Sequence, residues 1–227
     1  IGQLAQTPLR LLSAAFGARY AGWLHEAAHG LVAKLLGDNT AWAMGRVTIN
    51  PFVHIDPVGT IAMPLILYIA TAGNFLFGYA KPVPVDFSRL RNPKRDMVWV
   101  ALAGPVANLL QAVVWAVIIY VLTANSAEER FFFEMAQAGL LTNLVMFAFN
   151  LFPVPPMDGG RILVGLLPLR MAISYSRVER YGFFIVMGLV VLGVVNALWM
   201  LPIMTASMFS IQWLLQPLAI FLQLPSP

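Results

Sequence analysis

Apolar residues in this chain come in runs too long and too unbroken for a soluble fold. Residues 57–80, 97–127 and 181–227 contain no Asp, Glu, Lys, Arg or His, and each exceeds the ~20 residues that a helix needs to cross bilayer hydrocarbon. Residues 8–36 read as a helix or a broken pair, interrupted by Gly17, Arg19 and Gly22, with a helix proper over 20–36 and Gly37-Asp38-Asn39 as its stop. The stretch Gly45-Arg46-Val47-Thr48-Ile49-Asn50-Pro51 alternates polar and β-branched positions and ends in a turn, which predicts a short strand or hairpin. Residues 57–79, broken by Pro64 and Gly73, either span the membrane or dip in and return. A long helix follows from Met97 to near Ala124, and Phe131 to Phe152 return through the bilayer. The last uncharged stretch predicts a hairpin of 181–201 and 203–223 about Pro202, its second limb crossing the bilayer or lying at its surface. The expected fold is an all-α polytopic membrane protein with five or six membrane segments and a short β-strand or hairpin between the first two. Residues 1–227 read as a single membrane-embedded domain, without repeats or a soluble appendage.

Composition agrees with this pattern. The chain is 59% hydrophobic and 11% charged, with a mean hydropathy of +0.77, against ~25% charged residues in a soluble domain. A net charge of +4 fits cytoplasmic loops and anionic headgroups better than nucleic acid, which is not expected as a partner. Basic residues gather at Lys81, Arg89, Arg91, Lys94 and Arg95 and again at Arg161, Arg170, Arg177 and Arg180, whereas the intervening loop carries Glu128 and Glu129 with Arg130. Two crossings between two basic loops put both on the cytoplasmic side. Ile1 in place of Met points to a processed or trimmed N-terminus, and residues 1–20, with Arg10 and Arg19, do not resemble a cleavable signal peptide. The chain has no Cys, so a metal here is held by His and carboxylate.

Candidate chemistry begins at His25-Glu26-Ala27-Ala28-His29. Residues four apart lie one turn above each other, so His25 and His29 can offer two imidazoles to one ion from one helix face. Glu26 is turned ~100° from His25, outside the ligand set but near the place a zinc hydrolase needs its general base. With three His and five Glu in 227 residues, such a motif arises in roughly one shuffled chain in a thousand, so chance explains it poorly. A polar helix network of two histidines and a glutamate is the plainer reading, but each ionisable group at bilayer depth is costly.

A catalytic zinc needs a third protein ligand and an open fourth position. Two candidates stand out. Asp158 follows an apolar segment in Asn150-Leu151-Phe152-Pro153-Val154-Pro155-Pro156-Met157-Asp158-Gly159-Gly160, where prolines break the helix and glycines allow close approach. Unwound backbone at membrane depth is tolerated where it is buried or lines a cavity. His54, between Asn50-Pro51 and Asp56-Pro57, is the other. Electrostatics favours Asp158, since an intramembrane carboxylate needs a cation and the neighbouring spans hold no Lys or Arg.

These motifs, with "GRVTINPFVHIDPVGT", "AKPVPV", "RNPKRDMVWVALAGPVAN" and "NLFPVPPMDGGRIL" in order, resemble the site-2 protease family of intramembrane zinc metalloproteases, in the compact bacterial branch without a PDZ domain. The resemblance covers Trp23 to about Gly188. It implies one Zn2+ per chain held by His25, His29 and Asp158, Glu26 as general base, and cleavage of membrane-anchored protein substrates in or near their transmembrane segments. Also implied are a multi-pass location in a bacterial plasma membrane, Asn150 as a substrate or oxyanion contact, and Asn108 of the G-P-x-x-N motif as a lesser candidate. Gly45 to Asn50 resembles an element that pairs with extended substrate backbone. The rival reading is a divalent-metal transporter or channel using the same His and Asp residues. Glu26 separates the two, because a transit site needs ligands but no base. Oligomeric state is not legible.

Overall fold

The computed structural model describes residues 21–48, 50, 62, 66, 69, 82–125 and 130–223. Residues 21–35 are helical (α1), followed by the short α2, Thr40–Ala43, and by an extended strap over 82–86 that leads into a 3-10 turn, Phe87–Arg89. Two long helices come next, α3 (Pro93–Ala124) and α4 (Arg130–Asn150). Then follow three shorter ones, α5 (Asp158–Leu166), α6 (Leu169–Ser176) and α7 (Glu179–Val191). A π turn, Asn196–Met200, runs directly into α8, Leu201–Phe221.

Among the described residues three helices are long and apolar enough to cross a membrane: Pro93–Ala124, Arg130–Asn150 and Asn196–Phe221. At 1.5 Å per residue the 32 residues of α3 reach about 48 Å, so its charged first turn stands outside the ~30 Å hydrocarbon layer. There Asn92 N–H donates to the buried Asp96 carboxylate at 2.8 Å and closes the helix start. Burial is inverted relative to a soluble protein. Leu110, Val114, Leu141, Phe209 and Trp213 face outward while Asn108 and Asn143 are fully buried, as expected of a bundle whose solvent is lipid. Ala112, Ala116, Leu144, Ile211 and Leu215 join α3, α4 and α8, and a Cβ on Gly139 would lie 2.4 Å from the Trp115 ring. Small residues set how closely α3 and α4 approach.

The expected strand is not there. Gly45 to Thr48 and Asn50 are turn, bend and irregular backbone, and the described residues contain no β-strand, so the hairpin between the first two segments is withdrawn. The physical reason is local: Gly45 N–H and Arg46 N–H close back on the carbonyls of Trp42 and Ala41, both at 2.9 Å, with Gly45 at φ +66°. Donors used to cap α2 are unavailable to a ladder, and alternation alone does not supply a partner strand. Five or six membrane segments are likewise replaced by three helices of membrane length among the described residues. The predicted hairpin about Pro202 is also corrected. The chain breaks at Leu192–Gly193, with Gly193 at φ +74°, and then runs as one helix past Pro202. A π turn just before Pro202 lets the helix continue past a residue without an N–H. The basic stretch 161–180, expected as a loop, is largely helical. Residues 8–20, His54 and nearly all of 57–79 lie outside the described residues.

Two carboxylates, one on α1 and one just after it, hold the strap in place. Glu26 Oε2 accepts Val83 N–H at 2.7 Å and Asp38 Oδ2 accepts Asp86 N–H at 2.7 Å. Asp38, fully buried, also accepts the N–H and hydroxyl of Thr40. Burial alone would raise the Asp38 pKa, but the bonds from Thr40 and Asp86 outweigh it and hold the carboxyl below its ordinary 3.8.

The arrangement predicts two outcomes. Single cysteines at Ser88 and Ser174 should label from one side of the membrane and a cysteine at Asn125 from the other, because α3 and α4 carry the chain across and back; labelling of Ser88→Cys and Asn125→Cys from the same side refutes this. Second, Asp38 is more acidic folded than unfolded, so its stabilisation is complete above 3.8 and drains away as pH falls through the lower folded value. The thermal midpoint in detergent should therefore drop below about pH 3.8, and Asp38→Asn should be less stable at neutral pH and lack that part of the drop.

Candidate metal centre

Helix α1 presents His25 and His29 one turn apart, and both rings are turned by acceptors behind them. His25 Nδ1 bonds Asn108 Oδ1 at 2.5 Å, and His29 Nδ1 donates to the Val100 carbonyl at 2.7 Å. A carbonyl can only accept, so His29 carries its proton on Nδ1 and its Nε2 is a lone pair. The same assignment for His25 follows from the amide oxygen opposite it. Both acceptors belong to α3, which thus orients α1.

Asp158, the first residue of α5, completes the cluster. Its Oδ2 lies 3.2 Å from His25 Nε2 and 3.3 Å from His29 Nε2, and the two Nε2 atoms are 3.1 Å apart. Ligand atoms ~2.0–2.1 Å from a tetrahedral ion are about 3.3 Å from one another. The three atoms therefore have the spacing of one face of such a tetrahedron. His25 and Asp158 are buried, His29 is 9% exposed, and Asp158 Oδ2 has no hydrogen-bond partner. We do not read the 3.1 Å approach of the two Nε2 atoms as a hydrogen bond, since both Nδ1 atoms hold the protons. Three electron-rich atoms converge on one point, and that point calls for a cation.

Local sequence makes this convergence possible. Phe152 and Val154 close tight turns onto Phe149 and Phe152, and the loop folds back over the first turn of α5. A Cβ on Gly159 would lie 2.0 Å from Leu151 O, and one on Gly160 would lie 2.2 Å from Pro155 N. Only glycine lets Asp158 be delivered this way. From the far side, Gly182 of α7 packs directly on the Pro155 carbonyl, and Trp199 Nε1 donates to Ala148 O at 2.8 Å while its ring meets Phe152 edge to face. Arg161 faces Glu179 at 3.8 Å rather than Asp158.

The remaining sequence candidates separate. Asn108 is fully buried behind His25. Asn150 donates from Nδ2 to Met146 O at 2.9 Å, one turn back on α4. Glu26 is held by Val83 N–H, a contact no side-chain pattern announces. Sequence reading also missed Gly104. A Cβ there would lie 2.4 Å from His29 Nε2 and 2.6 Å from His25 Nε2, so Gly104 keeps open the space beside both ligand atoms. The G-P-x-x-N spacing was the available signal, because it puts Gly104 and Asn108 one turn apart on α3.

Fold and site together define an integral, multi-pass membrane protein with a buried His/His/Asp metal-binding cluster beside a glutamate. Comparison with known proteins gives the class a family. The profile described as Peptidase family M50 matches residues 119–193. A Bacillus subtilis protein named "Putative zinc metalloprotease YwhC" is 38% identical over 167 residues, covering 71% of this chain and 72% of that protein. "Putative zinc metalloprotease Rip2" of Mycolicibacterium smegmatis is 31% identical over 186 residues, covering 78% of this chain and 67% of the relative. Its Mycobacterium tuberculosis namesake is 31% identical over 152 residues. No solved structure matches significantly. The chain belongs to peptidase family M50 and is a bacterial-type intramembrane peptidase.

Gly104→Ala tests the cluster. The added methyl would intrude between the imidazoles, so retention of zinc or cobalt through dialysis in detergent should fall by about tenfold or more, the range seen when a ligand's support is disturbed. The fold should survive, since alanine is the better helix former. Undiminished metal retention in Gly104→Ala would show that the ion sits elsewhere.

Proposed function

We propose that this domain, residues 1–227, hydrolyses peptide bonds in or beside transmembrane segments of membrane-anchored substrates, using one zinc ion held by His25 Nε2, His29 Nε2 and Asp158. The observation that carries the reading is the 3.1–3.3 Å triangle of ligand atoms around an unpartnered, buried Asp158 oxygen. Two imidazoles and one carboxylate, with a position left open, are a donor set of catalytic zinc sites. When bound, zinc supplies Lewis acidity: it makes a water nucleophilic near neutral pH and polarises a carbonyl.

The chain's own residues do the rest. Glu26 follows His25 on α1 and is anchored through Oε2 to Val83 N–H, so the carboxylate keeps one orientation while Oε1 takes a proton from water and passes it to the leaving amine. Val100 O and Asn108 Oδ1 hold both imidazoles in the tautomer that binds metal through Nε2. Asn150, at the end of α4 before the turn to Asp158, would meet substrate backbone through its amide oxygen, its Nδ2 being bonded to Met146 O. A substrate helix hides its amides in internal hydrogen bonds, so the scissile segment must unwind first, which favours helix-weakening residues. No observation favours the transport reading.

Glu26→Gln should retain zinc and lose cleavage of a reconstituted membrane-anchored substrate by a factor of at least about a hundred, the scale of general-base catalysis. His25→Ala should lose zinc and cleavage together. Turnover near wild type in Glu26→Gln would remove the assigned base. Zinc flux into liposomes that survived Glu26→Gln would instead support transport.

A further inference from the structure

Asn143 lies in the middle of the apolar helix α4, fully buried and away from the ligand atoms. It is not idle. Its Nδ2 donates to Gly139 O at 2.8 Å, its Oδ1 accepts from Asn108 Nδ2 at 3.1 Å, and Asn108 Nδ2 also donates to Ala21 O at 3.2 Å. The last link is Asn108 Oδ1 against His25 Nδ1. The series joins α4, α3 and α1 through two side-chain amides.

Its polarity is set at its ends. The carbonyls of Gly139 and Ala21 can only accept, so the amide nitrogens of Asn143 and Asn108 must face them. Turning Asn108 over would put its oxygen against Ala21 O and Asn143 Oδ1 and its NH2 against His25. His25 would then carry its proton on Nε2, at the point where the metal binds. With Asn143 in place, that arrangement leaves two pairs of acceptors facing each other in an apolar interior.

We propose that Asn143 is a positioning residue for metal binding: by fixing the orientation of Asn108 it holds His25 in the tautomer whose Nε2 lone pair meets the ion. This rests on the reading of His25 as a ligand. The role is a specific case of partners behind a histidine setting metal affinity. Here the effect passes through one further residue and uses neutral amides. A buried amide in an apolar span is costly unless its hydrogen bonds are used, and here both its donor and its acceptor are engaged.

The test is zinc affinity, measured by chelator competition on purified full-length protein, with histidine 15N spectra of the zinc-free form. Asn143→Leu should weaken zinc binding by about 10- to 100-fold and shift His25 toward the Nε2-protonated tautomer. Asn143→Asp, kept neutral by burial, can donate its O–H to Gly139 O, still presents an oxygen to Asn108 Nδ2 and should restore most of the affinity. Leu144→Ala, a buried neighbour outside the series, should lower thermal stability while leaving zinc affinity at the wild-type value. If Asn143→Leu does not fold, Asn143→Thr serves, since its hydroxyl can close onto Gly139 O but is too short to replace the amide oxygen. Zinc affinity and a His25 tautomer unchanged in the folded Leu or Thr variant would overturn the inference. Failure of wild-type protein to bind zinc would instead overturn the metal-centre reading.

Discussion

The structure depends on one electrostatic constraint: three lone-pair donors, two imidazole nitrogens and a carboxylate oxygen, meet within 3.3 Å of one another inside an apolar bundle. Without a cation this arrangement is repulsive and poorly solvated. Much of the surrounding architecture serves to hold it. The four-residue spacing sets the imidazoles one turn apart, α3 supplies an acceptor behind each, Gly104 leaves room beside them, and the α4–α5 turn brings in Asp158. In a bundle whose outer face is apolar, the buried His25, His29, Asn108, Asn143 and Asp158 form this point and the series behind it, while Ala112, Ala116, Leu144, Ile211 and Leu215 pack α3, α4 and α8 together.

What was legible in the sequence follows from how local each signal is. His25 and His29 need only the period of one helix, and α1 forms over 21–35. Asp158 needs a broken helix, and Pro153, Pro155 and two glycines announced one. The long helices were written in uncharged runs. By contrast, the strand expected over Gly45 to Asn50 was read from alternation, which says which faces a strand would have but not whether a partner exists. The backbone donors of Gly45 and Arg46 were already committed to α2. Pro202 misled in the opposite sense. A proline is a strong local breaker, yet here the π turn passes over it and Gly193 makes the break.

Contacts made by backbone atoms were the least legible. Val83 N–H on Glu26 and Val100 O on His29 involve no distinctive side chain. Prolines at 82 and 84 remove the flanking donors, so Val83 is the first N–H that this part of the strap can offer. Of the basic, extended loop expected here, 82–86 is irregular backbone, Phe87–Arg89 is a 3-10 turn and Lys94 and Arg95 open α3, and the reading was silent about where the strap is tied. The buried amide of Asn143 was visible as a polar residue in an apolar span, but its meaning emerges only when Asn108 stands between it and His25.

Charge balance explains why the groups behind the ligands are neutral. Zinc at the proposed centre would bring two positive charges, Asp158 would return one negative charge and Glu26 a second, leaving the site near neutrality. Many zinc histidines in soluble enzymes are backed by a carboxylate, which orients the ring and adds a charge. At bilayer depth an added carboxylate would leave the site net negative in a medium that penalises any uncompensated charge. Here an amide oxygen and a backbone carbonyl orient the rings without adding charge. A neutral amide, however, presents a donor or an acceptor according to which way it is turned. The site therefore needs something to fix that turn, and the carbonyls of Ala21 and Gly139, reached directly and through Asn143, provide it.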